Sequence, residues 1–291
     1  MSKLFLICTS LFVLFLTDTY AQLGHQADSL ASLRQFDLAE LEYERTIFEL
    51  NESSDSVLTS KKQRLVNELL LRKTYCQKTR GDFAAASRTT QRFDLQDDSL
   101  QYSLRYETIL CAYLSGQYEE AYSQVQQLKH YLQDSTLWAK VGFLEVLSLV
   151  DMGNYDEAKQ VLKRYCVANG RADTPVDSLF LKVGKKQFKN LNKAKTLATF
   201  MPGAGLVYAG SIREGVTSLA LQAAALGYGV FSILDGYYFS GFLTGFGLFQ
   251  AFYFGGIRRT ESILIQHNQA KRAAFSKQIR QLVLQIESAR K

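Results

Sequence analysis

The feature that most constrains this chain is an apolar stretch near its C-terminal end, Gly215–Ile257, which contains a single charged residue, Asp235. Asp235 divides the stretch into two runs, Gly215–Leu234 and Gly236–Ile257, each close to the ~20 residues that a helix needs to cross a bilayer. Backbone polar groups in lipid must be satisfied within helices or closed barrels. The sequence therefore predicts a transmembrane helical hairpin.

Small residues recur at four-residue spacing in both runs, which would let two helices approach closely in lipid. The pairs are Ala223/Gly227, Ala225/Gly229 and Gly241/Gly245. The close pairing would lie either within the hairpin or between two copies of the chain in a homo-oligomer. Asp235 has two interpretations, because an acid within a membrane is a functional candidate, whereas the adjacent Gly236 favours a solvated turn.

The first 21 residues have the three regions of a secretory signal peptide. Lys3 supplies the positive charge, Leu4–Leu16 the apolar core, and Thr19–Ala21 the small-x-small cleavage pattern. The alternative is an uncleaved anchor, although an apolar run of 13 residues is short for a span. Export leaves three cysteines, Cys76, Cys111 and Cys166, and an odd count predicts buried free thiols rather than a disulfide framework.

Charge is distributed unevenly along the chain. Residues 182–291 carry a net charge of +11, whereas residues 1–181 carry −5. A basic segment that also contains the apolar runs favours a bilayer surface, not nucleic acid, as its partner.

The first half of the chain contains a repeated turn of the form G-x-[FY]-x-x-A. Its residues are Gly81, Phe83 and Ala86, then Gly116, Tyr118 and Ala121, then Gly153, Tyr155 and Ala158. A weaker copy, Arg34–Ala39, lacks the glycine. Amphipathic segments flank each turn, which predicts helical hairpins in which glycine ends the first helix and alanine lets the second lie close.

This pattern, with its period near ~34 residues, resembles the tetratricopeptide repeat family. The resemblance covers Leu23–Gly170 and places a repeat domain at residues 22–170. A polar insert, Asn51–Ser60, and the absence of a closing proline depart from the family pattern. The resemblance implies a solenoid of helix pairs with a concave face that binds a protein partner. A solenoid that serves only as a spacer is the alternative.

Residues 171–195 are predicted to form a linker and a basic amphipathic helix, Val176–Lys195. Four of its lysines fall on one stripe, which consists of Lys182, Lys186, Lys189 and Lys193. Such a helix would lie in the headgroup plane of a membrane with its lysines towards lipid phosphates. A solvated lysine face on a helix that caps the repeats is the alternative.

A glycine-rich motif precedes the apolar runs. Its residues are Pro202, Gly203, Gly205, Tyr208, Gly210 and Gly215, in the pattern P-G-x-G-x-x-Y-x-G-x-x-x-x-G. The motif resembles the entry of small two-helix bacterial membrane modules such as TM2-like domains, and this places a membrane hairpin at residues 196–257. Residues 258–291 are predicted to form a C-terminal amphipathic helix with Ile279, Leu282, Val283 and Ile286 on one face.

The sequence contains no recognisable catalytic, cofactor-binding or metal-binding pattern. The histidines, His25, His130 and His267, are scattered, and no residue set has the spacing of a hydrolase or zinc site. We therefore expect a protein that is not an enzyme.

The sequence thus predicts an all-α protein with tetratricopeptide-like hairpins, a basic helix, a transmembrane hairpin and a C-terminal helix. We expect a membrane-anchored interaction adaptor of the bacterial cell envelope, with periplasmic repeats and an inner-membrane hairpin. The first alternative is a membrane module that acts as a channel, transport or protein-insertion element regulated by the repeats. A lower-ranked alternative is an enzyme that uses a basic pocket around Gly203–Arg213 for an anionic lipid. Two periplasmic basic flanks oppose the positive-inside tendency, so the membrane sidedness stays open.

Overall fold

A computed structural model of the 291-residue chain describes residues 24–52, 59–95, 100–132, 134–171, 175–181 and 188–289. Every regular element in these ranges is helical, which confirms the all-α fold class. The predicted signal peptide, residues 1–21, lies outside the described residues, as do Lys182 and Lys186. The chain divides into two compact units, the first ending at Met152 and the second beginning at Gly153.

The first unit is a succession of helices in which each described helix packs on the next along the chain. The helices are α1 (His25–Ser32), α2 (Phe36–Glu52), α3 (Thr59–Arg80), α4 (Phe83–Thr90), α5 (Gln101–Leu114), α6 (Tyr118–Tyr131) and α7 (Ser135–Met152). Their apolar faces form the core, in which Tyr43, Leu69 and Leu104 belong to one cluster. Ile109 and Leu128 belong to a second cluster.

The three predicted repeat turns have the same backbone conformation. Gly81, Gly116 and Gly153 have φ values of 81°, 82° and 83°, in the left-handed region that favours glycine. The residue after each glycine has φ between −87° and −82° and ψ between 68° and 70°. Identical dihedral angles at equivalent positions show that the sequence repeat is also a repeat of local structure.

Hydrogen bonds of the same pattern close the turns at Gly81 and Gly116. The Gly81 amide donates to the Lys78 carbonyl, and the Asp82 amide donates to the Gln77 carbonyl, both at 3.0 Å. These bonds satisfy carbonyl groups that would otherwise be unpaired at the end of α3. The alanines at the last turn position, Ala86, Ala121 and Ala158, are fully buried, so no larger side chain separates the second helix from its neighbours.

The weaker copy of the turn adopts this conformation without glycine. Arg34 has φ 58° and is the one non-glycine residue in the described chain with positive φ. Its amide donates to the Ala31 carbonyl at 3.0 Å, and the Gln35 amide donates to the Leu30 carbonyl at 2.9 Å. This turn therefore has the backbone geometry of the other repeat turns although its sequence lacks the glycine.

Cys76, Cys111 and Cys166 are buried and unbridged, as predicted. Burial raises the pKa of the Cys111 thiol to about 12 and also raises the pKa of Cys76. Cys76 and Cys111 each lie five residues before a turn glycine and serve as small core residues.

The second unit contains the remaining helices and a π-helical turn. They are α8 (Tyr155–Ala168), α9 (Val176–Leu181), α10 (Leu191–Phe200), α11 (Ala204–Ala209), α12 (Ile212–Leu234), α13 (Tyr238–Ser240), the π-helical turn Gly241–Phe246, and α14 (Gly247–Ser288). The sequence pattern grouped α8 with the repeats up to residue 170, whereas the compact units group it with the C-terminal half.

Aromatic contacts explain why α8 belongs to the second unit. The Phe275 ring of α14 meets Tyr155 of α8 and Phe180 of α9 edge-on, at centroid distances of 5.5 and 5.1 Å. Further along α14, Glu287 accepts a hydrogen bond from the Tyr165 hydroxyl. Of the predicted apolar face of the C-terminal helix, Ile279, Val283 and Ile286 are at most 4% exposed, whereas Leu282 is half-buried.

The predicted continuous helix Val176–Lys195 is wrong. Helix α9 is described over Val176–Leu181, and Phe188–Asn190 are not helical. Asn190 is the N-cap of a new helix, α10, with φ −79° and ψ 123°, and its side chain accepts a hydrogen bond from the Lys193 amide at 3.1 Å. The capping preference of asparagine therefore interrupts the helical periodicity that the lysine spacing indicated.

Candidate membrane module

Helix α12, Ile212–Leu234, is the candidate membrane span of the described chain. It has 23 residues, and among the described helices it alone is both long and apolar enough to cross a bilayer. The second apolar run is also helical, through α13, the π-helical turn and the start of α14. Helix α14 then continues into a charged segment after Ile257, so the second crossing stays a prediction.

Helix α12 exposes its large apolar side chains and buries polar ones, the reverse of a surface helix in a water-soluble protein. We call this the inside-out arrangement of α12. Large apolar residues point away from the protein, with Val216, Phe231 and Leu234 exposed by 59%, 65% and 79%. Polar residues point inward, and Gln222 and Ser232 are 2% and 7% exposed. Only 22% of the most apolar window is buried. A helix with this pattern is stable where its outer face meets lipid rather than water.

A seam of glycines joins α12 to the π-helical turn. A Cβ atom added to Gly245 would lie 2.3 Å from Gly229 Cα, and one added to Gly241 would lie 2.8 Å from the Gly229 carbonyl oxygen. Two of the three small-residue pairs, Ala225/Gly229 and Gly241/Gly245, are therefore buried in this seam. The third pair, Ala223/Gly227, is exposed.

The seam continues at the tip of the hairpin, where the repeat turn recurs. Gly236 has φ 86°, and Tyr237 has φ −87° and ψ 59°, close to the values at the repeat turns. Gly241 occupies the position of the buried alanine, because the Gly229 backbone is too near for a Cβ atom. Asp235 is the exposed C-cap of α12 beside this turn, and the neighbouring Tyr237, Tyr238 and Phe239 are also exposed.

The glycine-rich motif forms a second close-packed contact at the base of the hairpin. Gly203 has φ 78°, and a Cβ atom there would lie 2.2 Å from the Gly215 carbonyl oxygen. A Cβ atom on Gly205 would lie 2.6 Å from Ala198 Cβ and 2.9 Å from Thr260 Cγ2. Pro202 precedes this contact in the bend between α10 and α11. The motif glycines are thus required by close approach of α10, α11, α12 and α14.

Tyr208 and Gly210, the remaining motif residues, contact the start of α10. The Tyr208 hydroxyl accepts a hydrogen bond from the Asn190 amide at 3.2 Å, and the Lys193 ammonium lies 5.5 Å from the centre of its ring. Gly210 has φ 111° and ends α11. Lys189 and Lys193, the described members of the lysine stripe, therefore lie beside the motif and not on a separate surface helix.

A charged layer follows the apolar part of the module. Arg259 donates two hydrogen bonds to the Glu214 carboxylate, at 2.7 and 3.0 Å. Lys195 pairs with Glu261 at 3.0 Å. Such pairs suit the interfacial level of a membrane, where charged groups flank the hydrocarbon core.

An open cavity of about 220 Å³ lies between α12 and α14 next to this layer. Its wall combines Glu214, Ser218 and Arg259 with apolar groups that include Leu221 and Phe252. The Gln222 side chain is buried next to this wall and donates to Ser218 Oγ at 3.0 Å. Its Oε1 atom has no hydrogen-bond partner in the described part of the chain.

Sequence reasoning missed Gln222 and Asn268. Gln222 is the only amide side chain in the run Gly215–Leu234, and that signal was available. Asn268 had no signal, because its hydrogen bonds to the Lys189 backbone join residues 79 positions apart. Within the described ranges, no three His, Cys, Asp or Glu side chains are placed to hold a metal ion.

Comparison with family models, curated proteins and solved structures finds no match to this chain. The resemblances to tetratricopeptide repeats and to TM2-like modules stay predictions from the sequence. The structural conclusion is an all-α chain with one candidate membrane helix, packed through glycines against a second apolar helical segment.

Proposed function

We propose that this chain is a membrane-anchored adaptor of the cell envelope, whose helical repeats bind a protein partner. The observation that carries the proposal is the inside-out arrangement of α12, which exposes Phe231 and Leu234 and buries Gln222. Such a surface would be costly in water, because each large apolar side chain is worth about 1.5–3 kcal/mol when it leaves water. Insertion of the hairpin into a bilayer removes that cost.

Exposed apolar side chains on α2 support partner binding by the repeats. Leu38, Leu41 and Phe48 are 51%, 65% and 65% exposed in the described chain. Leu41 and Phe48 are one heptad apart and lie on the same side of the helix. Helical hairpins with such a stripe can dock a segment of another protein through apolar anchors.

Membrane anchoring is tested by cell fractionation followed by alkaline extraction of the membranes. The full chain should stay in the membrane pellet and be released only by detergent. A variant that lacks residues 196–257 should move to the soluble fraction. Retention of that variant in the pellet would contradict a hairpin anchor.

A second candidate function places the activity in the membrane module, as a channel, transport or protein-insertion element. Gln222 favours it, because an amide with an unsatisfied oxygen is costly inside a packed membrane helix. The nearby cavity with Ser218, Glu214 and Arg259 adds polar groups at the same level. An inert anchor would not need these groups.

Exchange of residues 196–257 for an unrelated two-span anchor separates the two functions. If the phenotype of a deletion strain is rescued by the exchanged protein, the module is an anchor and the repeats carry the function. Failure to rescue, with the protein present at normal levels in the membrane, would favour the active module. Gln222→Leu in the native chain then tests whether the buried amide is required.

A further inference from the structure

The second unit gathers four basic or titratable side chains around the Gly210 turn: Lys189, Lys193, His267 and Lys271. We call this group the basic cluster. A Cβ atom on Gly210 would lie 3.1 Å from Lys189 Nζ and 3.9 Å from His267 Nδ1, so both groups face the same turn. Lys193 lies over the ring of Tyr208, which belongs to α11, and Lys271 is one helical turn beyond His267 on α14.

The fold holds these like charges together through specific backbone contacts. Asn268 accepts a hydrogen bond from the Lys189 amide at 3.2 Å and donates one to the Lys189 carbonyl at 2.9 Å. This pair of bonds fixes Lys189 against α14, next to His267. Burial, and after it the repulsion from the positive charges of Lys189 and Lys271, holds the pKa of His267 below its ordinary value.

The ion pairs of the described residues leave two lysines of the cluster, Lys189 and Lys193, without an acidic partner. The ion pairs of the module are Lys195–Glu261 and Arg259–Glu214, and neither Lys189 nor Lys193 makes one in the described ranges. The Lys189 ammonium is not needed to cap the C-terminal end of α11 either. The Leu206 and Val207 carbonyls at that helix end already accept hydrogen bonds from the Gly210 and Ser211 amides.

The position of the cluster indicates what supplies the missing negative charge. Gly210 precedes by two residues Ile212, where the candidate membrane helix begins. Lysines at this level of a membrane protein meet the phosphate groups of lipid headgroups. We propose that the basic cluster binds the phosphate of an anionic phospholipid, with Lys189 and His267 as its main contacts. This inference rests on the proposed location of the protein in a membrane.

The experiment uses the full-length protein in detergent micelles and follows the imidazole signals by NMR after selective histidine labelling. The chain has three histidines, so His267 is assigned by its loss in His267→Gln. Its pKa is measured in zwitterionic micelles and again after addition of phosphatidylglycerol. A phosphate bound beside the imidazolium should raise the pKa by about one unit. His25 and His130 serve as internal references.

Matched variants separate a bound lipid from a general effect of the charged micelle surface. Lys189→Gln should raise the pKa of His267 in zwitterionic micelles, because a positive neighbour is lost, and should abolish most of the further rise with phosphatidylglycerol. Lys277→Gln removes an equal charge from an exposed position of the same helix and should leave both values unchanged.

Three results would overturn the inference. They are an unchanged His267 pKa with phosphatidylglycerol, an equal response in Lys189→Gln, and an equal rise with soluble glycerol 3-phosphate in zwitterionic micelles. The last result would assign the site to a soluble phosphate compound instead of a lipid. Failure of the membrane proposal is distinguishable, because the protein would then purify without detergent.

Discussion

At the residue scale, glycine has two separate roles in this chain, and they predict different mutational effects. Gly116 has φ 82° but empty space around its Cβ position, so only its backbone conformation requires glycine. Gly245 lies within a helical segment and needs glycine because Gly229 is in contact. The two roles cannot be told apart from the sequence, because both positions are glycine. They are distinguished by the backbone conformation of each glycine and by the atoms around it.

Gly116→Ala should destabilise the protein by about 1–2 kcal/mol, the cost of a left-handed conformation for an L-residue. Gly116→Asn should lose less, because asparagine tolerates this region better. Arg34→Gly should instead stabilise the protein, because Arg34 has φ 58°, a conformation that costs free energy for an L-residue but not for glycine. Urea unfolding of the full chain in detergent, followed by circular dichroism, measures all three. Equal stability of the Ala and Asn variants would contradict a backbone origin.

Gly245→Ala should separate the seam between α12 and the π-helical turn, because the new Cβ atom would lie 2.3 Å from Gly229 Cα. We expect a loss of about 1–3 kcal/mol, typical of overpacking. Gly247→Ala is the matched control, as no atom lies within 4 Å of its Cβ position. Thermal unfolding in detergent compares the two variants. The seam would be disproved if both melted at the same temperature as the native chain.

At the element scale, carboxylates connect helices that are distant in sequence. Glu44 of α2 accepts hydrogen bonds from Lys73 of α3 and from Arg92, which follows α4. Burial alone would raise the pKa of Glu44, but the two cationic donors outweigh it and lower the pKa. The two hydrogen-bonded ion pairs therefore stabilise the ionised form of Glu44 in the folded protein.

The lowered pKa of Glu44 predicts a pH-dependent contribution to stability. The contribution is fully present above the ordinary glutamate pKa of about 4.3 and is lost as pH falls through the lower pKa of the folded state. Glu44→Gln should reduce stability near pH 7 by less than about 1 kcal/mol, because the pair is partly exposed and screened. The difference from the native chain should shrink towards pH 3.

Glu49→Gln is the control for this prediction, since among the described residues Glu49 pairs only with Arg45 on the same exposed helix face. Its effect should be smaller at pH 7 than that of Glu44→Gln. Urea unfolding across the pH range measures both variants. A stability difference for Glu44→Gln that grew on acidification would show that the sign of the shift is wrong.

At the scale of the whole molecule, the number of membrane crossings decides the topology. A two-span hairpin puts the repeats and the C-terminal helix on one side of the membrane and Phe239 at the opposite face. Single cysteines at Gln127, Gln281 and Phe239 test this arrangement, in a chain whose four native cysteines are replaced by alanine. All three test positions are exposed in the structure.

A membrane-impermeant thiol reagent should label positions 127 and 281 from the same side and position 239 from the other. Labelling of 127 and 281 from opposite sides would mean a single crossing by α12. Labelling of all three positions from one side would mean that the hairpin does not cross the bilayer. Lysed cells provide the control that each cysteine is reactive.

Much of this fold follows from the sequence alone. The turn motif G-x-[FY]-x-x-A fixed the positions of the repeat helices, because glycine at positive φ and a small residue five positions later are local requirements. The apolar runs located α12 to within a few residues. The burial of the cysteines and of Ile279, Val283 and Ile286 followed from helical periodicity.

Only the tertiary structure decided which residues meet. It broke the predicted basic helix at Asn190, joined α8 to α14, and chose two of three small-residue pairs for the glycine seam. It also brought Lys189 next to His267 through Asn268. Local sequence determines helices because their hydrogen bonds join near neighbours, whereas these contacts depend on backbones distant in sequence and on side-chain packing that no local pattern encodes.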